Sequence, residues 1–147
     1  MKDQQQTLIR WAKALGYLGW LPVPVLASAA FIQPEWQPIA TRVAVIYVAT
    51  ILCFLGGIQW GFALGSPDPD IRVRRLFVGI LPSLWGFASL LLPAQLAVIG
   101  LIVGLGLLLG YEMLERADDV YPSWYLPLRI QLTILLVAGI SLFVLAL

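Results

Sequence analysis

Gln59 is one of the few strongly polar side chains in the long apolar runs of this chain, within Phe54-Leu55-Gly56-Gly57-Ile58-Gln59-Trp60-Gly61. A carboxamide facing lipid tails loses its hydrogen bonds, so Gln59 is expected to face the interior of a helix bundle and bond to another helix. Gly57 and Gly61 are four residues apart and share one helix face, which lets a neighbouring helix approach closely. Gln59 lies roughly 160° around the helix axis from Gly57. The glycines are therefore expected to meet the first or third span, and Gln59 a different helix or a central cavity. Two readings follow. Either Gly56, Gly57 and Gly61 lock helices together and Gln59 joins them, or Gln59 and Trp60 line a pocket for a small molecule or lipid. Pro22 and Pro82 belong to the second reading, because each frees a carbonyl four residues back, which a neighbouring helix or wet cavity must satisfy.

The charged residues allow further chemistry. Arg129 is expected to form an interfacial ion pair with Glu112 or Glu115 on the preceding span, and Arg42 to reach toward Glu35. Asp68-x-Asp70 and Asp118-Asp119, with arginines nearby, could hold a magnesium-bound phosphate; the alternative is ordinary hydrated loops. The chain has no His and one Cys. Imidazole-ligated metals, Ser-His-Asp triads, multi-Cys metal sites and internal disulfides are excluded. No catalytic residue, metal or cofactor is expected, and a net charge of +1 implies no nucleic-acid partner.

The elements that position these residues follow from composition. The 147 residues are 61% apolar and 12% charged, with a mean hydropathy of +0.91. Soluble domains carry about twice that charge, so lipid is the expected solvent. An all-α integral membrane protein is predicted, a single domain over 1–147, with spans at about 14–32, 43–64, 76–92, 95–114 and 128–147. Pro93 leaves a tight hairpin between the third and fourth. Ala14 to Ile32 exceeds the apolar core of a signal peptide, so it reads as the first span despite Ala27-Ser28-Ala29-Ala30. Gly19-Trp20-Leu21-Pro22 and Gly79-Ile80-Leu81-Pro82 share a pattern that would fit a parallel repeat. Lys2, Arg10, Lys13, Arg72, Arg74, Arg75, Arg116 and Arg129 fall on one side of this bundle and only Arg42 on the other. The positive-inside bias then puts the N-terminus in the cytoplasm and the C-terminus outside. A reporter fused after Leu147 should behave as external; a cytoplasmic signal would sink the span count or the orientation.

The string Phe54 to Gly61, Pro82-Ser83, and Pro122-Ser123-Trp124-Tyr125-Leu126-Pro127-Leu128-Arg129, together with Leu15 to Pro22, resembles the domain of unknown function 3429 family, the transmembrane protein 69-like proteins. The likeness extends from about residue 8 to 140. It implies a multi-pass protein of the bacterial inner (cytoplasmic) membrane, or of the mitochondrial inner membrane in a eukaryote, and no activity. The family places His or another polar residue at position 59; Gln59 exchanges no proton near neutral pH, which argues against a proton relay. The leading reading is a non-enzymatic packing or assembly partner, or a binder of small molecules or membrane lipid, acting alone, as a homo-oligomer or with another membrane protein. A small permease or channel component, acting as a homo-oligomer, comes second. A magnesium-dependent lipid-modifying enzyme using Asp68, Asp70, Asp118 or Asp119 comes third.

Overall fold

The computed structural model describes residues 2–115 and 121–145. They form α1 (Lys2–Trp20), α2 (Pro22–Ile32), a short 3-10 turn (Pro34–Trp36), α3 (Gln37–Gly65), α4 (Pro69–Leu90), α5 (Ala94–Leu114) and α6 (Tyr125–Leu145). Among the described residues five helical rods are long and apolar enough to cross a membrane, α1 and α2 together making the first. Leu21 keeps a helical backbone between them, and its N–H reaches Leu18 O while its carbonyl accepts from Val25 N, both at 3.2 Å. Pro22 is tolerated there because it takes the first position of α2, where its missing N–H matters least.

Helices start earlier than hydropathy alone suggests. α3 begins at Gln37 and α4 at Pro69, six and seven residues before the expected span limits. The reason for α4 is local. Asp68 Oδ1 accepts from Asp70 N at 2.9 Å and Ile71 N at 3.4 Å, and Pro69 stands at the first helical position. Apolar length measures the lipid crossing; the caps decide where the helix begins.

α3 is the central element and touches α2, α4, α5 and α6. Its interior stripe meets Val98, Leu101 and Leu105 of α5 and Ile140 of α6, all fully buried with Val48 and Leu52. Three tryptophans tie helix to helix in the same way. Trp20 donates to Leu135 O at 2.9 Å, Trp60 to Leu76 O at 3.0 Å and Trp85 to Gly100 O at 2.6 Å. A glycine follows each acceptor by three or four residues: Gly139, Gly79 and Gly104. A Cβ on Gly79 or Gly104 would stand 2.3 or 2.6 Å from the indole, and one on Gly139 3.6 Å from it. The indoles thus lie across bare backbone and satisfy their N–H on main chain, which leaves no indole donor facing lipid.

The close crossing of α3 and α4 runs through Gly56 and Gly79. A Cβ on Gly56 would lie 2.5 Å from Gly79 O, and one on Gly79 2.9 Å from Gly56 O. Gly57 and Gly61, expected to make such a crossing, meet nothing within 4 Å. The correction has a simple cause. The buried face of α3 passes through Leu52, Leu55, Gly56, Gln59 and Ala63, whereas Gly57 and Gly61 lie on the exposed face with Phe54 and Leu64.

Candidate functional site

The buried stripes of four helices each bring an amide or a charged side chain to the same end of the bundle. On α4 the stripe is Arg75, Gly79, Pro82, Gly86 and Ser89; on α5 it is Leu101, Leu105, Leu108 and Glu112. On α6 it is Arg129, Thr133, Leu136 and Ile140, and on α3 it includes Gln59. Helical spacing of three and four aims all four polar groups inward. Gln59, Arg75 and Glu112 are fully buried and Arg129 is 3% exposed.

Glu112 is the centre. Its Oε1 accepts from Gln59 Nε2 at 2.8 Å and from the Tyr125 hydroxyl at 2.9 Å. Its Oε2 accepts from Arg129 Nε at 2.9 Å, and Arg129 Nη1 reaches Thr133 Oγ1 at 3.3 Å. Gln59 Oε1 in turn accepts from Arg75 Nη1 at 3.1 Å and from the Tyr121 hydroxyl at 3.0 Å. Arg75 extends the chain of bonds outward: Nη1 to Tyr121 at 2.8 Å and Nη2 to Glu115 at 3.3 Å. Arg74 meets the same Glu115 oxygen at 2.7 Å. The deeper part of the network balances Arg75 and Arg129 against Glu112 and Glu115, which is the condition for keeping charges out of water.

Aromatic rings wall the outer side. Tyr121 stacks on Tyr125 with centroids 5.1 Å apart, and Phe62 sets an edge against both at 4.9 and 5.2 Å. The Arg75 guanidinium lies 4.8 Å from the Tyr121 ring centre, a cation–π distance. Burial pushes the Tyr121 phenol above its ordinary pKa, so it stays a donor at neutral pH.

The structure thus joins Gln59, Glu112 and Arg129, with Glu115 held by Arg74 and Arg75 instead of by Arg129. It does not join the residues proposed as one pocket. Trp60 is 43% exposed and bonded to α4, Pro22 stands at the α1–α2 junction, and Pro82 packs on Gly56. A groove of about 530 Å³ between α4 and α5 includes Pro82 but neither Gln59, Trp60 nor Pro22. Asp68 is spent on capping α4 and Asp70 is exposed; Asp118 and Asp119 lie outside the described residues. Among the described residues no cluster of three or more Cys, Asp or Glu could hold a metal ion. Arg42 and Glu35 are both exposed, with no ion pair between them among the described residues.

Arg75, Tyr121, Tyr125 and Thr133 entered the site unannounced. Arg75 reads in sequence as one of three topology-setting arginines, and the two tyrosines as interfacial rings. The available signal was phase: Arg75 continues the small-residue stripe Gly79, Pro82, Gly86, and Thr133 follows Arg129 by one turn.

Comparison with known proteins adds kinship. The model of a family described as "Protein of unknown function (DUF3429)" matches residues 8–147. The chain belongs to this family. This DUF3429 chain is similar to transmembrane protein 69 of Mus musculus, 34% identical over 126 residues, covering 84% of this chain and 50% of the mouse protein. Transmembrane protein 69 of Xenopus tropicalis is also 34% identical, over 84% of this chain and 49% of its own length. This DUF3429 chain spans about half the length of these curated relatives. No solved structure matches it.

Proposed function

We propose that this membrane protein is a non-enzymatic packing and assembly partner: a charge-latched bundle that offers its outer helix faces to a second copy or to another membrane protein. The observation that carries the reading is the state of Gln59. It is fully buried, and its Nε2 and Oε1 are both bonded to protein groups on three other segments. An amide occupied at both ends in this way joins helices and has neither its donor nor its acceptor turned to a substrate. The exposed Gly57, Gly61 and Gly65, which have open space where a Cβ would stand, supply a bare helix face of the kind that packs against another membrane helix. The permease reading draws less support, because beyond Thr133 the interior is filled by Leu52, Leu101, Leu105, Leu136 and Ile140. The magnesium-enzyme reading loses Asp68 to the α4 cap. The proposed setting is the bacterial inner membrane, or the mitochondrial inner membrane in a eukaryote, with the N-terminus on the side of the basic residues.

Crosslinking tests the assembly role. With Cys53 replaced by Ser, Gly61→Cys should form an intermolecular disulfide in native membranes, and mild detergent should extract a species heavier than the 16.2 kDa chain. A uniform monomer with no crosslink at position 61 would remove the reading.

A further inference from the structure

The groove between α4 and α5 lies outside the polar network and has a different character. Val78, Leu81, Trp85 and Ala88 line it from α4, and Leu107 and Tyr111 from α5, around a volume of about 530 Å³. That is the size range of small-molecule sites. Leu81 and Leu107 are 59% and 62% exposed, so the groove opens sideways onto the surface that faces lipid. From Val78 to Ala88 it runs about 15 Å along the helix axis at 1.5 Å per residue. Its walls are apolar, and among the described residues its polar features gather at one end. There the Tyr111 hydroxyl is buried and turned toward the Arg74 guanidinium. Arg74, one helical turn before Val78, sits beside it with a half-exposed side chain. This end lies toward the α4 start and the α5 end, where those helices leave the apolar layer.

We propose that this groove is a binding site for one anionic glycerophospholipid, taking an acyl chain between α4 and α5 and the phosphate at Arg74. The axial order of groups matches that of such a lipid. The tail would lie along Val78, Trp85 and Ala88, an ester carbonyl would come level with the Tyr111 hydroxyl, and the guanidinium fork suits a phosphate at the bilayer edge. The α4–α5 contact is in addition kept open by design of the sequence: Trp85 lies over Gly104 with its N–H on Gly100 O at 2.6 Å, which fixes the groove wall without filling it.

The test uses the full chain purified in detergent, supplied with phosphatidylglycerol or phosphatidylcholine, with bound lipid counted by native mass spectrometry. Wild type should retain phosphatidylglycerol about tenfold better, the worth of one charge-assisted contact. Ala88→Trp, on an exposed position, should fill the inner end and lower retention of both lipids. Arg74→Gln should abolish the preference between them, and Tyr111→Phe should weaken both, with helicity and Tm confirming that each variant folds. Equal retention of the two lipids by wild type, or retention unchanged by Ala88→Trp, would mean ordinary annular lipid and overturn the proposal. Displacement of the phospholipid by a long-chain quinone at lower concentration would overturn it as well.

Discussion

Glu112→Leu should cost about 3–5 kcal/mol of stability, the usual consequence of leaving a buried cation without its counter-ion. Arg129 is 3% exposed and depends on Glu112 Oε2 for its only ionic contact among the described pairs. The same substitution strips Gln59 Nε2 and the Tyr125 hydroxyl of their acceptor, so three donors lose a partner at once. The double replacement Glu112→Leu with Arg129→Leu is expected to recover much of the loss. Removing both ions together restores an apolar interior instead of an unpaired charge, and such swaps are often neutral or better. Unfolding in mixed micelles, followed by helical circular dichroism, reads both numbers. A Glu112→Leu protein as stable as wild type would show that the network contributes nothing. A double variant no better than the single one would show that Arg129 is not what Glu112 stabilises.

The second large effect belongs to a pair of methyl groups. Gly56→Ala and Gly79→Ala should each destabilise the bundle by about 1–3 kcal/mol or more through overpacking. The obstacle on Gly56 is the Gly79 carbonyl at 2.5 Å, and backbone cannot swing aside as a flexible side chain can. At Gly79 the new methyl also meets Trp60 at 2.3 Å. The indole must then leave Leu76 O, so the variant should show altered tryptophan fluorescence. Gly57→Ala is the matched control. It enters open space, and replacing a helical glycine there should stabilise by about 0.5–1 kcal/mol. Equal effects at 56 and 57 would contradict the crossing.

This contrast between neighbouring glycines shows what kind of information each level holds. Composition and apolar run length were enough for five long apolar helices, because the cost of exposing backbone and charge to lipid leaves a chain this apolar few alternatives. The resemblance carried by Gly56 to Gly61 and by Pro122 to Arg129 was enough for the family. The inward aim of Gln59 was also legible, since an amide in an apolar run has little choice of direction, whereas Arg129 and Glu112 read as an interfacial pair and are buried.

Which partner each group meets was decided by tertiary structure. Gly56 and Gly57 are chemically identical, and only the rotation of α3 against α4 puts one at a backbone contact and leaves the other bare. Arg74 and Arg75 are likewise adjacent and alike. One helical step of 100° leaves the first at the bundle surface and sends the second inward to Gln59 and Tyr121. Tyr121 and Tyr125 read as interfacial rings because sequence places them near a span end, yet their hydroxyls reach Gln59 and Glu112 through contacts between residues 62 and 13 positions apart. Hydropathy settles which residues leave water. Side-chain pairing depends on helix rotation and register, set by the summed packing of all the interfaces at once, and no local stretch of sequence contains that sum.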